Sequence, residues 1–571
     1  MKRMIDLHMH IIPDVDDGSV SLEMSEKMIR MAMEQGVEVI FATSHSFAHE
    51  HFTEHVRTQY RKLHKLVKDK DLPVKLCFGC EVALDAYHIE QILNDLEVGR
   101  IPSLNMTKYV LVELYDDTEG DCLYSIGKLL EKGWLPIIAH AERIEEFSIE
   151  FIKKLKALGC LIQMNAYSIS EERNMNIKEN ALMLLNEKLV DFLGSDAHRL
   201  EHRAPKVKSG IEYLYDNYEK EYVDNILYNN AYNLLLTENE KKEEQESNLW
   251  IDGMMGLVIG DALGMPVQFL SREDVKEAPI FTMDGFGTYD MPVGAWSDDS
   301  SMAIATLDSI CNKKELNYDD VMECFYEWTA NGKYTPTGMA FDQGNTCMEA
   351  IINYARERNY KTCGKIGEYA NGNGALMRIM PVCLFEYIQY KNGLVSVEEA
   401  VEAIHQATAL THNHLRAKMA SGIYFFLVQA ILEEEGALIQ KLQSGMEKAK
   451  AFYKSNIANL VEWSRFIRLD NLIEFSTVPE EKIKSSGYVL DSLEAAVWSL
   501  ITTQSFEEGL LKAVNLGDDT DTVGAIASGL AGLYYGYNGM PRSWRREIIK
   551  GDELIELCNT AEGEFYVQEK K

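Results

Sequence analysis

The sequence predicts a multidomain chain in which an α/β domain precedes an all-helical one. Three observations predict this. At 571 residues the chain is far longer than a single hydrophobic core usually supports. Short β-rich runs alternate with helical stretches through the first part and then give way to long amphipathic helices. Between the two parts lies TENEKKEEQES, charged and without an apolar period. The domains are therefore expected at residues 1–237 and 250–571, joined by a charged linker at 238–249.

Composition narrows the function. With 46% hydrophobic and 26% charged residues the chain is ordinary globular protein. Its formal charge of -33 argues against a broad nucleic-acid surface, which needs a concentrated basic face. The opening MKRMIDLHMH puts charge and histidine where a signal peptide needs an apolar core, so no secretion is expected. Apolar runs such as Ala525 to Tyr535 are too short and glycine-broken for a bilayer, so no membrane partner is expected. Ten scattered cysteines fit a reducing cytoplasm. The pair in Cys77-Phe78-Gly79-Cys80 lacks a second half-site for zinc. Oligomeric state is left open.

In the first domain, strands are expected at Val37 to Ala42, Leu76 to Cys80, Tyr109 to Leu114, Leu135 to Ala139, Cys160 to Met164 and Val190 to Leu193. Helices are expected at Leu22 to Gln35, Glu54 to Lys70, Cys122 to Lys132, Ile149 to Leu158 and Ile177 to Asn186. This alternation fits a parallel sheet, open or closed into a barrel. Histidines and carboxylates recur where the strands end. His8 and His10 share one side of an extended run. His45, Glu81, Glu113 and His140 follow or close successive strands, and Asp196 with His198 follows the last. Loops beyond strand C-termini are where such folds collect chemistry, and that recurrence points to a metal site.

The segment Asp6 to His10 with Pro13, Asp16, Asp17 and Gly18, the stretches Ala42 to His45 and Ala139 to Arg143, and Gly194 to His198 together resemble the polymerase-and-histidinol-phosphatase superfamily. More narrowly they resemble its bacterial manganese-dependent protein tyrosine phosphatases. That resemblance implies a distorted seven-stranded barrel holding two or three Mn²⁺, or Fe or Zn. It implies the ligands His8, His10, Asp17, His45, Glu81, Glu113, His140, Asp196 and His198. Ser44 and Ala141 stand where proline is usual in the family. Arg143 and Arg199, each just beyond a ligand motif, are candidate phosphate clamps, since a guanidinium offers a bidentate fork. Phosphorylated protein or a small phosphate ester is the expected substrate.

The second domain opens with a helix carrying Gly253, Gly256, Gly260 and Gly264, read as close packing. Ser297, Asp298 and Asp299 are expected just before a helix starting near Met302. Asp519, Asp521 and Thr522 are expected just before one at Gly524 to Tyr535. A helix cap needs one acid, and adjacent acids repel unless cations intervene. Acids flanked by hydroxyls suit Mg²⁺ or Mn²⁺.

Gly260 to Gly264, Trp296 to Asp299 and Gly517 to Thr522 carry a second resemblance, to the ADP-ribosylglycohydrolase family. Asp342 to Thr346, Asn373 to Arg378 and Thr411-His412 add to it. It implies a compact helical domain with two Mg²⁺ (or Mn²⁺), bound by Ser297, Asp298, Asp299, Asp519, Asp521 and Thr522. ADP-ribosylated protein or another ADP-ribose conjugate is then the substrate. Asp342, Asp298 and Asp299 are candidate acid–base residues. Gly372, Asn373 and Gly374 are candidates to pass near a diphosphate, and His412 to line the pocket. The expectation is a bifunctional hydrolase. The competing readings make one domain a regulatory binding module, or the protein a non-enzymatic ADP-ribose binder.

Overall fold

A computed structural model describes residues 3–116, 118–144, 147–170, 174–237 and 246–568. The chain divides into two compact units, one before the stretch 238–245 and one after it. Most of the expected linker, residues 238–245, lies outside the described residues.

The first unit is a seven-stranded, all-parallel sheet ordered β1-β2-β3-β4-β5-β6-β7. The strands are β1 (Met4–Met9), β2 (Val37–His45), β3 (Lys75–Leu84), β4 (Tyr109–Leu114), β5 (Leu135–Ile138), β6 (Leu161–Asn165) and β7 (Phe192–Gly194). A bridge between Met9 and Ala197 returns the last strand toward the first, so the sheet forms a nearly closed barrel. Helices connect the strands, as parallel crossovers require. Ile5, Leu7, Val39, Phe41, Leu111, Ile137 and Phe192 pack one apolar layer, joined by Leu235 and Leu236 from the end of the unit.

Strand β1 is irregular. Asp6 pairs with Ile40 but Met9 with Ala42, so one extra residue is inserted. Such a bulge reverses side-chain parity. Ile5 and Leu7 therefore belong to the apolar layer, and His8 and His10 come to the same side one level higher. Strands β2 and β3 run past their expected ends and include His45 and Glu81. The helix expected from Glu54 begins at Ser46, and a helix at Ile89–Glu97 is additional.

The second unit contains helices and turns, with no extended strand among the described residues. Its central pair is Leu249–Gly264 against Thr520–Tyr535. A Cβ on Gly260 would stand 2.0 Å from Ser528 Oγ and 2.3 Å from the Gly524 carbonyl. On Gly264 it would stand 2.4 Å from the Thr520 carbonyl. Glycine is thus required because the two backbones touch. The acidic motifs do not precede their helices. The helix Asp298–Lys313 starts four residues ahead of Met302, with Ser297 as its cap, and Thr520–Tyr535 starts with Asp519 as its cap. The helix Leu415–Glu433 is long and apolar enough to cross a membrane by composition, a length the sequence reading passed over. It lies buried inside this unit, where an apolar core helix belongs.

Candidate active sites

The strand ends of the first unit place all nine expected ligands in one connected set. Glu81, buried on β3, is its hub. Its carboxylate lies 3.3 Å from His8 Nε2, 3.3 Å from His10 Nε2, 3.0 Å from His45 Nδ1 and 2.8 Å from His140 Nε2. Glu113 reaches His140 at 3.5 Å. Asp17 lies 3.3 Å from His45 Nε2 and 3.2 Å from His198 Nε2. Asp196 lies 3.7 Å from both His8 and His10. Three overlapping groups have ligand atoms all within 4.8 Å of one another: His10, Asp17, His45 and His198; His8, His10 and Glu81; and His45, Glu81 and Glu113.

The electrostatics fit a cation. Burial opposes ionisation of Glu81, yet His8, His10, His140 and His45 hold its carboxyl well below the usual range. Burial also opposes charge on His10, but Asp16 and Glu81 outweigh it and draw its pKa up to about 10. The cluster as built therefore calls for positive charge. Burial and the neighbouring His10 push His198 down to about 3, leaving a neutral imidazole. Its Nδ1 faces the Asp196 carbonyl at 3.0 Å, and its buried Nε2 has no hydrogen-bond partner. That is how a ligand histidine is held, with one nitrogen oriented and the other turned into the cluster toward Asp17. His140 at φ 29° and Asp196 at φ 50° both sit in the left-handed region, strain that collects at functional sites.

Sequence reasoning missed several supports. Asp16, not only Asp17, is part of the site: its Oδ2 lies 2.8 Å from His10 Nδ1 and accepts the His45 amide at 3.1 Å. Gln163 on β6 accepts the His140 amide at 2.7 Å and approaches His8 Nδ1 at 3.4 Å. Arg143 donates to Asp196 Oδ2 at 2.7 Å. The second guanidinium is Arg203, which donates to Asp196 Oδ1 at 2.5 Å. Arg199 contributes a backbone amide to the Arg203 carbonyl, and none of its described side-chain contacts reaches the cluster. Arg143 was expected as a clamp; of the supports the sequence did not single out, Asp16, Gln163 and Arg203, only Asp16 stood in a recognisable motif.

In the second unit the two helix N-termini bring their acids together. Asp261, at the end of the glycine-bearing helix, accepts the amides of Ser297 and Ser300 at 2.9 Å each and the Ser300 hydroxyl at 2.6 Å. Asp299 Oδ2 accepts the hydroxyls of Ser297 at 3.2 Å and Thr522 at 3.4 Å. Its Oδ1 and Asp521 Oδ2 are buried without a hydrogen-bond partner. Burial and mutual repulsion hold Asp298, Asp299 and Asp521 well above the usual carboxylate range. Asp261 is pushed up to about 6, mainly by burial. A hard divalent cation relieves each of these penalties, and an all-oxygen donor set suits it. The acids are spread more widely than the first unit's ligands, which alone among the described residues form groups within 4.8 Å.

Asp342 stands among these acids electrostatically, at φ 52°, and accepts the Tyr289 hydroxyl at 2.5 Å. Asn373 acts on the acids directly: its Nδ2 donates to Asp519 Oδ2 at 2.7 Å and to Ser492 Oγ at 2.9 Å. Its backbone amide is spent on the Gly487 carbonyl at 3.0 Å, so that amide is not free for a diphosphate as expected. Gly372 and Gly374 leave room for the His412 ring, which a Cβ on Gly374 would approach to 3.0 Å. Burial, with nearby Arg378, lowers His412 to about 3, so it stands neutral beside Gly372 and Gly374.

A nitrogen-and-carboxylate cluster in a parallel barrel, and an acid-and-hydroxyl cluster between helix N-termini, define two hydrolase-type centres on one chain. The chain belongs, through residues 247–571, to the ADP-ribosylglycohydrolase family and, through residues 4–236, to the capsular polysaccharide synthesis CpsB/CapC family. An ADP-ribosylarginine hydrolase Tri1 of Serratia proteamaculans is 29% identical over 55% of this chain and 78% of its own length. A tyrosine-protein phosphatase CpsB of Streptococcus agalactiae is 31% identical over 41% of this chain and 98% of its own. A solved structure from work on Bacillus subtilis YwqE and Streptococcus pneumoniae CpsB, described as metal-dependent tyrosine phosphatases, is 30% identical. It covers 38% of this chain and 90% of that one, with a TM-score of 0.35.

Proposed function

We propose that the protein is a bifunctional hydrolase. Its first unit hydrolyses phosphomonoesters, phosphotyrosine foremost, with Mn²⁺. Its second removes ADP-ribose from a modified protein or small molecule with Mg²⁺. The observation that carries this reading is the convergence of two chemically different ligand sets, each from distant segments, onto mostly buried positions. Nine side chains from the ends of six strands, β1 to β5 and β7, and from the turn at residues 14–18 would hold Mn²⁺. Ser297, Asp298, Asp299, Asp519, Asp521 and Thr522 would hold Mg²⁺. Divalent cations, when bound, supply Lewis acidity toward phosphate or ribose oxygens.

The chain's own residues supply the rest. Arg143 and Arg203 present guanidinium donors beside Asp196, where they neutralise the carboxylate and flank the position of a phosphate. In the second unit water adds at C1 of the ribose and the bond to the leaving group breaks, with a proton passing to the leaving atom. Asp342 holds or delivers that proton, and the Tyr289 hydroxyl fixes its orientation. Nearby carboxylates favour the positive charge that develops on the sugar.

The test is p-nitrophenyl phosphate turnover with Mn²⁺ and release of ADP-ribose from modified arginine with Mg²⁺, each on the full chain. His8→Ala or Asp196→Ala should lower the first by more than about 100-fold, beyond what outer-sphere changes do. Asp298→Asn or Asp521→Asn should lower the second as much. Full activity in these variants would remove the corresponding assignment.

A further inference from the structure

The cluster in the first unit explains how a phosphate is held but not what carries it. Two exposed aromatic residues adjoin different members of that cluster. Phe47 follows the ligand candidate His45 by two residues, at the start of the helix Ser46–Asp69. Its ring is stacked with the His45 imidazole, centroids 6.0 Å apart and planes 25° from parallel, and the residue is 47% exposed. Tyr115 follows Glu113 by two residues, just past the end of β4, and is 58% exposed. Burial and the adjacent Glu113 carboxylate together push its phenol up to about 12. His45 and Glu113 are themselves members, with Glu81, of one group whose ligand atoms lie within 4.8 Å.

Each ring is therefore tied to a different member of the same cluster, Phe47 from the β2 end and Tyr115 from the β4 end, with β3 and Glu81 between them. Residues two apart along a strand share a face. The register that brings Glu113 into the cluster thus leaves Tyr115 one step further out, toward solvent. Neither ring belongs to the apolar layer of the barrel formed by the described residues.

We propose that Phe47 and Tyr115 form the subsite for the leaving group, taking the aromatic ring of an aryl phosphate and so selecting phosphotyrosine over alkyl phosphates. An aryl ester places its ring one oxygen away from phosphorus, close enough to lie against residues adjoining the phosphate ligands. A phosphoserine presents only a methylene there and reaches neither ring. Offset or edge contacts between aromatic rings are worth a factor of roughly 2–13 per ring.

This inference rests on the phosphatase reading above. It is tested on the full chain with Mn²⁺ by measuring kcat/KM for a phosphotyrosine peptide and for the same peptide carrying phosphoserine. The parent should prefer the aryl ester. Phe47→Leu and Tyr115→Leu should each reduce that preference by roughly 2–13-fold, and the double variant further. Phe47→Tyr and Tyr115→Phe keep a ring and should retain it, which separates stacking from the hydroxyl contact to Glu113. Equal rates on both peptides for the parent, or an unchanged ratio in the leucine variants, would overturn the proposal while leaving a phosphatase. Turnover of neither peptide would defeat the phosphatase reading and this subsite with it.

Discussion

Replacing Asp299 by asparagine probes the second centre through stability rather than turnover. Asp299 is buried in the first turn of Asp298–Lys313, and its Oδ1 is without a partner. Burial first, then Asp261, Asp519 and Asp342, hold its carboxyl well above the usual range. A carboxyl with a raised folded pKa contributes its full stability below the unfolded value, near 4, and loses it as pH rises through the folded value. At pH 7.5 in chelator, above the unfolded value, Asp299 therefore contributes less to the fold than it does near pH 4, and the nearly isosteric amide keeps its contribution. Asp299→Asn should melt above the parent there, and the gap should close as pH falls toward 4. Mg²⁺ should reverse the order. A cation that binds only the native state, at one hundred times its Kd, stabilises by about 2.7 kcal/mol. For a unit of this size, at about 2.1 cal/mol/K of unfolding entropy per residue, that is about 4 °C per ion. The parent should show that rise, and the variant should lose the part owed to the ion Asp299 contacts. Calorimetry of the full chain from pH 5 to 8, with EDTA or Mg²⁺, reads both effects. A variant that melts below the parent in EDTA at pH 7.5, or one with an undiminished Mg²⁺ shift, would refute the reasoning.

Three further outcomes follow from named contacts. Arg203→Ala should lower phosphatase kcat/KM by about 10–100-fold because Asp196 loses a charged donor, whereas Arg199→Ala should stay near parental activity; kinetics on p-nitrophenyl phosphate separates them. Asn373→Ala frees Asp519 from its 2.7 Å amide donor and should weaken Mg²⁺ affinity by about 10–100-fold, read by calorimetric titration. Gly260→Ala places a methyl where Ser528 Oγ and the Gly524 carbonyl already stand, and should destabilise the second unit by at least about 1–3 kcal/mol in denaturant melts.

The candidate ligands were easier to read along the chain than the residues beside them, and the reason is physical. His45, Glu81, Glu113 and His140 recur at strand ends, a regularity visible along the chain. Asp16, Gln163 and Arg203 matter only because the barrel brings them to His10, His140 and Asp196. No local period announces that. The bulge in β1 was equally hidden, since alternation at Asp6, His8 and His10 reads the same with or without an extra residue before Met9. In the second unit the acids pushed each expected helix start too far along the chain. A run of aspartates reads as a loop before a helix, whereas the Ser297 hydroxyl and Asp261 hold the free amides and let the helix begin at Asp298 itself.

Asp261 shows how fold and chemistry are joined in the second unit. Its carboxylate spends its capacity on Ser297 and Ser300, so it serves as a clamp on the N-terminus of the neighbouring helix. The clamp works because Gly256, Gly260 and Gly264 let their helix touch the one carrying Asp521 and Thr522. Three helices are thereby fixed with their acidic ends inward, before any cation is considered. The mutual repulsion of Asp298, Asp299 and Asp521 is the cost of that arrangement. It is borne by the helix-to-helix packing and by the hydrogen bonds to Asp261, leaving preorganised oxygens whose charge a divalent ion can offset.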